Sequence, residues 1–168
     1  MIYFHNGDLL KTKYQYICHQ VNCQGKMNSG IAKAIREKWP VVYQKYQDWY
    51  IGYEAWADAH QNNEYKYQPA DAMLGSIQIV EVNSKQKVIN MAAQNGYGYD
   101  GRRYTSYDAF WSCLGKIKGT IPKGSEIAFP DHIGCCRGGA NWDVILSMID
   151  AVLGDDYEVH IYKLEETK

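Results

Sequence analysis

The chain has 168 residues, 46% hydrophobic and 22% charged, with four prolines; this is the composition of one globular domain and excludes a disordered, fibrous or two-enzyme chain. Eighteen Lys and Arg against nineteen Asp and Glu leave a net charge of -1, which excludes a nucleic-acid binder held by bulk charge. No apolar run approaches the ~18–20 residues a bilayer demands, and MIYFHNGDLL lacks the layout of a signal peptide, so no membrane partner is expected. The cysteines Cys18, Cys23, Cys113, Cys135 and Cys136 are odd in number and two are adjacent. That usage suits a reducing compartment and a cytoplasmic location.

In chain order, Ile2–Phe4 and Tyr14–Val21 read as strands, the second running into the polar stretch NCQGKMNSG. From Gly30 the spacing of Ile31, Ala34, Ile35 and Trp39 predicts a helix that Pro40 stops or restarts, and Val41 to about Ala59 predicts a second one crowded with Tyr and Trp. Ala72–Val82 and Lys87–Ala93 read as two strands of a hairpin joined through Asn83–Gln86. The long loop QNGYGYDGRRY follows, and Thr105 or Ser106 then caps a helix running to about Lys118. Ser125–Pro130 reads as a strand, DHIGCCRGGA as a loop, and Asn141 as the cap of a helix with Trp142, Ile145, Met148, Ile149 and Val152 on its apolar side. Gly154 ends that helix, and Tyr157–Lys163 is the last strand. Alternating strand, loop and helix predict one domain over 1–168, a three-layer α/β/α sandwich with its sites where loops leave the strand ends.

Fifteen Tyr, five Trp and three Phe make 14% of the chain aromatic. A domain of this size cannot bury every tyrosine with its hydroxyl paired, so most should cap the core edge half exposed, with one or two free to stack on a ligand base.

Two loops share one design: Cys18–Gly30 and Asp131–Asn141 each leave a β-run, carry several glycines and open a helix. Glycines admit positive φ and let backbone N–H groups approach an anion, while the helix start adds partial positive charge. Two such loops can clamp a diphosphate. Neither ends in Gly-Lys-Ser/Thr and neither is a full G-x-G-x-x-G, so each alone reads equally as an ordinary turn.

The strings GDLL at 7–10, HQVNCQGKMNSGIAKAI at 19–35, INMAAQ at 89–94 and FPDHIGCCRGGANW at 129–142 together resemble the macro domain, an ADP-ribose-binding family. The similarity is strongest to its branch of ADP-ribose 1''-phosphate phosphatases and terminal ADP-ribose glycohydrolases. The resemblance implies a macro-domain fold with a mixed central sheet, no cofactor, and ADP-ribose or ADP-ribose 1''-phosphate as the partner, free or on a modified macromolecule. By the same resemblance Asp8 reads the adenine amine with Leu9 beside it, and Asn22 holds the distal ribose. Gly25, Met27, Gly30 and Ile31 line the ribose and phosphate side, and Gly134, Cys135, Cys136, Arg137, Gly138 and Gly139 wrap the diphosphate. Tyr162 stands where the family often stacks an aromatic on adenine. Read as residues, Asn22 can equally support its own turn, Tyr162 can be an edge-strand core residue, and Asp8 a surface carboxylate.

The glycohydrolases of this family use a lysine near the end of the strand KVINMAA and an aspartate in the second loop; this chain has Ala92 and Ala93 near the first place and Gly138 near the second. His19 and Asp131 resemble the phosphatase branch instead. A histidine can protonate a leaving group or contact a phosphate and a carboxylate can orient water, so the pair is the expected catalytic couple of a hydrolase that removes a group from the distal ribose. The alternatives are a strand-end role for His19 in a non-catalytic reader, and a glycohydrolase with relocated groups. Cys18, His19, Cys23, His132, Cys135 and Cys136 lack the spacing of a zinc knuckle, so no metal is expected. Cys135 and Cys136 also stand too close to Arg137 for a cysteine-phosphatase cradle. Arg102 and Arg103 can contact whatever carries the ADP-ribose or simply face solvent.

Overall fold

The computed structural model describes residues 1–165. Its strands are β1 (Ile2–Asn6), β2 (Tyr16–Val21), β3 (Ile77–Glu81), β4 (Lys87–Ala92), β5 (Glu126–Pro130) and β6 (Glu158–Lys163), and its helices α1 (Gly30–Lys38), α2 (Pro40–His60), α3 (Ala70–Met73), α4 (Tyr107–Thr120) and α5 (Trp142–Leu153). The six strands form one sheet in the order β1-β6-β5-β2-β4-β3. Every neighbouring pair is parallel except β3–β4, the predicted hairpin. Asn83 folds its link, its Oδ1 accepting from the N–H of Lys85 and of Gln86 at 2.9 Å each.

Alternation along the strands feeds two cores. Tyr16, Cys18, Ile89 and Met91 join Phe110, Leu114, Ile145 and Ile149 of α4 and α5. Val21, Val88 and Ala92 join Ile35 of α1 and Val42 and Tyr46 of α2 on the opposite face. The sheet is therefore the middle of three layers, with α1, α2 and α3 on one side and α4 and α5 on the other.

Helix boundaries follow from local chemistry. Pro40 bars the residue before it from helical backbone, and Trp39 sits at φ -128° and ψ 82°, which ends α1 and starts α2 at once. Ser106 caps α4 by accepting from Ala109 N–H, and Asn141 caps α5 by accepting from Asp143 and Val144 N–H. The expected strand over Ala72–Val82 is corrected at its start: Ala72 and Met73 lie in α3, whose Asp71 accepts from Gln68 N–H at 2.7 Å, and β3 begins only at Ile77. Gly75, at φ +89°, makes the corner between them.

Of the fifteen tyrosines only Tyr16, Tyr46 and Tyr157 are buried. Tyr157 donates its hydroxyl to Ile121 O at 2.9 Å and Lys118 O at 3.1 Å, closing the end of α4. All five cysteines are free thiols. No helix among the described residues is long and apolar enough to cross a membrane.

Candidate functional site

The loops after β2 and β5 leave neighbouring strands for opposite faces of the sheet, the first to α1 and the second to α5. A parallel sheet opens a crevice at such a point, beyond the carboxyl ends of its strands. A cleft of about 350 Å³ lies there, within the size range of small-molecule sites. Its walls include Asn22, Met27, Gly30 and Ile31 from the first loop, Asp131, Gly134, Cys136, Arg137 and Gly138 from the second, and Gln20, Gln94, Tyr97 and Tyr99 between them.

Asn22 organises the first loop. Its Oδ1 accepts from Gln24 N–H at 3.0 Å, Lys26 N–H at 3.3 Å and the buried Tyr46 hydroxyl at 2.8 Å, and its Nδ2 donates to Lys26 O at 2.9 Å. The amide lines the cleft, yet most of its hydrogen-bonding capacity is spent on its own turn. Gly25, at φ +74°, lies against Tyr50, where a Cβ would stand 2.7 Å from the ring, and does not reach the cleft. Met27 is fully buried and anchors the loop in the core of α1 and α2. Burying such a side chain stabilises by about 1.5–3 kcal/mol.

The loop then opens α1, and here the helix start differs from those of α4 and α5. Ser29 is at the cap position without a side-chain bond to the helix. The N–H groups of Gly30, Ile31 and Ala32 have no partner among the described residues, and all three residues line the cleft.

The second loop turns its carbonyls inward. Gly134 O accepts from Ala140 N–H at 3.0 Å and from the Thr105 hydroxyl at 2.8 Å, and Gly138 O accepts from the N–H groups of Tyr104 and Thr105 at 2.8 and 2.9 Å. With the carbonyls held, the N–H groups of Cys136, Arg137, Gly138 and Gly139 are left with no partner among the described residues. Of these residues only Gly138 is buried; successive free N–H groups in such a turn form a concavity suited to an anion. Gly134 and Gly139 adopt φ +75° and +70°, and a Cβ on Gly138 would run into the Thr105 hydroxyl and Gly134 O. Cys135 and Gly139 belong to the loop without lining the cleft. Cys135 Sγ donates to Ile133 O at 3.4 Å, and burial pushes its thiol up to about 11, with Cys136 and Asp131 adding to the rise. It stays protonated at neutral pH, which removes it as a nucleophile.

Arg137 is on the rim: its Nη1 donates to the Tyr99 hydroxyl at 2.6 Å and its guanidinium stands 4.2 Å from the centre of that ring. Arg102 pairs with Asp100 at 3.2 Å and, with Arg103, is exposed.

His19 is not in the cleft. It is fully buried in β2, and strand alternation aims it at the α1–α2 face while the next residue, Gln20, reaches the cleft. Its Nε2 donates to Asn90 Oδ1 at 2.5 Å, Asn90 Nδ2 donates to Gln78 Oε1 at 3.0 Å, and Gln78 Nε2 donates to Lys45 O at 2.8 Å. A polar row thus crosses β2, β4 and β3 to α2. Burial pulls the imidazole down to about 4, the Asn90 hydrogen bond opposing, so it is neutral at pH 7. The expected phosphate contact by His19 is corrected to a place in the sheet interior. Sequence reading failed by one pleat, since strand position and facing residues, not neighbourhood to the loop, set where a side chain points.

Asp8, Leu9 and Tyr162 gather at the ends of β1 and β6, outside the cleft lining. Asp8 Oδ1 accepts from Leu10 N–H at 2.9 Å and Leu9 is buried. Tyr162 stacks on His5 at 4.6 Å and shares a 2.8 Å hydrogen bond with the Tyr14 hydroxyl. Asp131 joins this group to the cleft, its N–H donating to Tyr162 O at 2.8 Å.

Gln20 and His132 line the cleft without having been picked out as site residues from the sequence, whereas Gln94, Tyr97 and Tyr99 belong to the loop QNGYGYDGRRY, whose length already suggests a function. Gln20 signals nothing in isolation. His132 was legible beside Asp131, and its backbone carries the mark: it is the one non-glycine residue at positive φ, +58°, among the described residues. Among those residues no three His, Cys, Asp or Glu side chains converge as a metal site would need.

The site is a crevice of a three-layer α/β/α domain lined by backbone donors without a partner among the described residues. Comparison with solved structures narrows the fold to that of the macrodomains. A macrodomain protein from Streptomyces coelicolor superposes at a TM-score of 0.70, 21% identical over 99% of this chain and 100% of its own. DarTG of Thermosipho africanus, solved in complex with ADP-ribose, superposes at 0.69, 18% identical over 98% of this chain and 43% of its own. A protein of unknown function from Bacteroides thetaiotaomicron superposes at 0.76, 26% identical over 97% of this chain and 98% of its own. No family model and no curated protein matches the chain.

Proposed function

We propose that the cleft binds ADP-ribose or a close derivative and that the protein hydrolyses a group from the distal ribose, with ADP-ribose 1''-phosphate as the favoured substrate. The observation that carries this reading is a pair of donor sets lining one cleft: the uncapped start of α1 and the N–H groups of Cys136, Arg137 and Gly138, in a loop where Gly138 O is held by Tyr104 and Thr105 and Gly134 O by Thr105 and Ala140. A pyrophosphate between them would accept from both, which lets a chain of net charge -1 hold a dianion without a lysine cluster. A solved structure of this fold carries ADP-ribose, and Tyr162 adjoins the cleft through Asp131, where an adenine would extend.

A second reading, a non-catalytic reader, draws on Ala92 and Ala93: both are fully buried where the resembling glycohydrolases place a lysine. Turnover separates the two. Calorimetry should show one ADP-ribose bound per chain, and incubation with ADP-ribose 1''-phosphate should release inorganic phosphate. Binding without release, on this substrate and on ADP-ribosylated protein and DNA, makes the protein a reader; no binding sinks both readings.

A further inference from the structure

His132 is built into the lip of the cleft at a cost. It is the third residue of the Pro130–Ile133 turn, closed by Ile133 N–H donating to Pro130 O at 3.2 Å, and its φ of +58° is uncommon for a residue other than glycine, although histidine enters that region more often than most. Strain of this kind persists only where surroundings enforce it, and it gathers at functional sites. Two contacts fix the ring. Nδ1 donates to Asp131 Oδ2 at 2.5 Å, and the imidazole lies on Trp142 with centroids 5.1 Å apart and planes 16° from parallel. Trp142 is itself seated by the capped start of α5, behind Asn141.

Asp131 and His132 both line the cleft, and the histidine side chain is 49% exposed against 18% for the aspartate. With Nδ1 donating to the carboxylate, Nε2 is the ring nitrogen left without a partner among the described residues. The turn would form more readily with glycine, and the ring sits at the surface of the cleft instead of in a core.

We propose that His132, oriented by Asp131 and Trp142, is the proton-transfer residue of this site. The role rests on the ADP-ribose 1''-phosphate reading above and replaces the part that His19 cannot play. In the reaction a water oxygen attacks phosphorus and Nε2 takes its proton. The bond from phosphorus to the distal-ribose oxygen breaks, and the imidazolium returns the proton to that oxygen, giving ADP-ribose and inorganic phosphate. Asp131 is then a positioning residue, not the base.

The test uses the full chain, its His132→Asn, His132→Gly and Asp131→Asn variants, phosphate release from ADP-ribose 1''-phosphate, and ADP-ribose calorimetry on each. Asparagine and glycine both accept the backbone, so folding is kept. The expected result is ADP-ribose affinity within about threefold of the parent and phosphate release slower by about 100-fold or more in both His132 variants. Asp131→Asn should lower kcat with KM nearly unchanged. Release that survives His132→Asn, or affinity that falls in step with release, overturns the proton-transfer role. A parent chain that binds ADP-ribose and releases nothing overturns it too while leaving the binding reading intact, whereas a parent that does not bind ADP-ribose at all fails that reading first.

Discussion

At the scale of single residues, function depends on which backbone groups are left unsatisfied. Gly134 and Gly138 matter less for flexibility than for what their carbonyls do: each accepts two hydrogen bonds from inside the protein, which leaves the loop's N–H groups facing out. Gly138→Ala puts a methyl against Thr105 and Gly134 O and must displace the loop. Losing one or two bonds to a charged ligand, each about 1.5–3 kcal/mol, predicts ADP-ribose binding at least about tenfold weaker by calorimetry. An unchanged affinity in this variant would mean that the second loop does not hold the ligand.

Elements show the same economy in their caps. Ser106 closes the start of α4 and Asn141 that of α5 with a side-chain bond, while α1 begins at the cleft with Ser29 unengaged, and α2 and α3 start on Trp39 and Pro69 without a side-chain cap. Asn141→Ala should therefore cost about 1 kcal/mol in urea denaturation, and Ser29→Ala should cost only a few tenths because no capping bond is lost. Equal losses would show that the Ser29 side chain caps α1 in solution. The strand and helix order was readable from periodicity, as was the β3–β4 hairpin from its Asn83 link. The start of β3 was not: Ala72 and Met73 are as apolar as strand residues, but their N–H groups donate to Pro69 O and Gln68 N–H donates to Asp71, which folds them into α3.

Across the whole molecule, the sheet order puts β2 beside β5 and so makes one cleft from loops about a hundred residues apart in the chain. The same sheet buries His19, and stability should report it. The unfolded imidazole titrates near its ordinary 6.5 and the folded one near 4, so between these values the unfolded state binds more protons and stability rises with pH. The contribution is complete above about pH 6.5 and drains away as pH falls toward 4, on the order of 3 kcal/mol in total. Denaturation of His19→Gln measured from pH 7 to 4 should show a shallower decline than the parent. Parallel declines would place His19 in contact with water.

Sequence by itself determined the layered α/β architecture, because strand and helix periods alternate along the chain, and it singled out the two glycine-rich loops, because the same strand-to-helix design occurs twice. Tertiary structure alone decided which side chains enter the cleft. His19 and Gln20 are neighbours in the chain and face opposite sides of the sheet. Asn22 is drawn into its own turn by Tyr46 from a helix that follows it, and His132 gains its orientation from Trp142 ten positions away. A side chain's direction is set by the pleat and by partners distant in sequence, and neither is written in the residue's own neighbourhood.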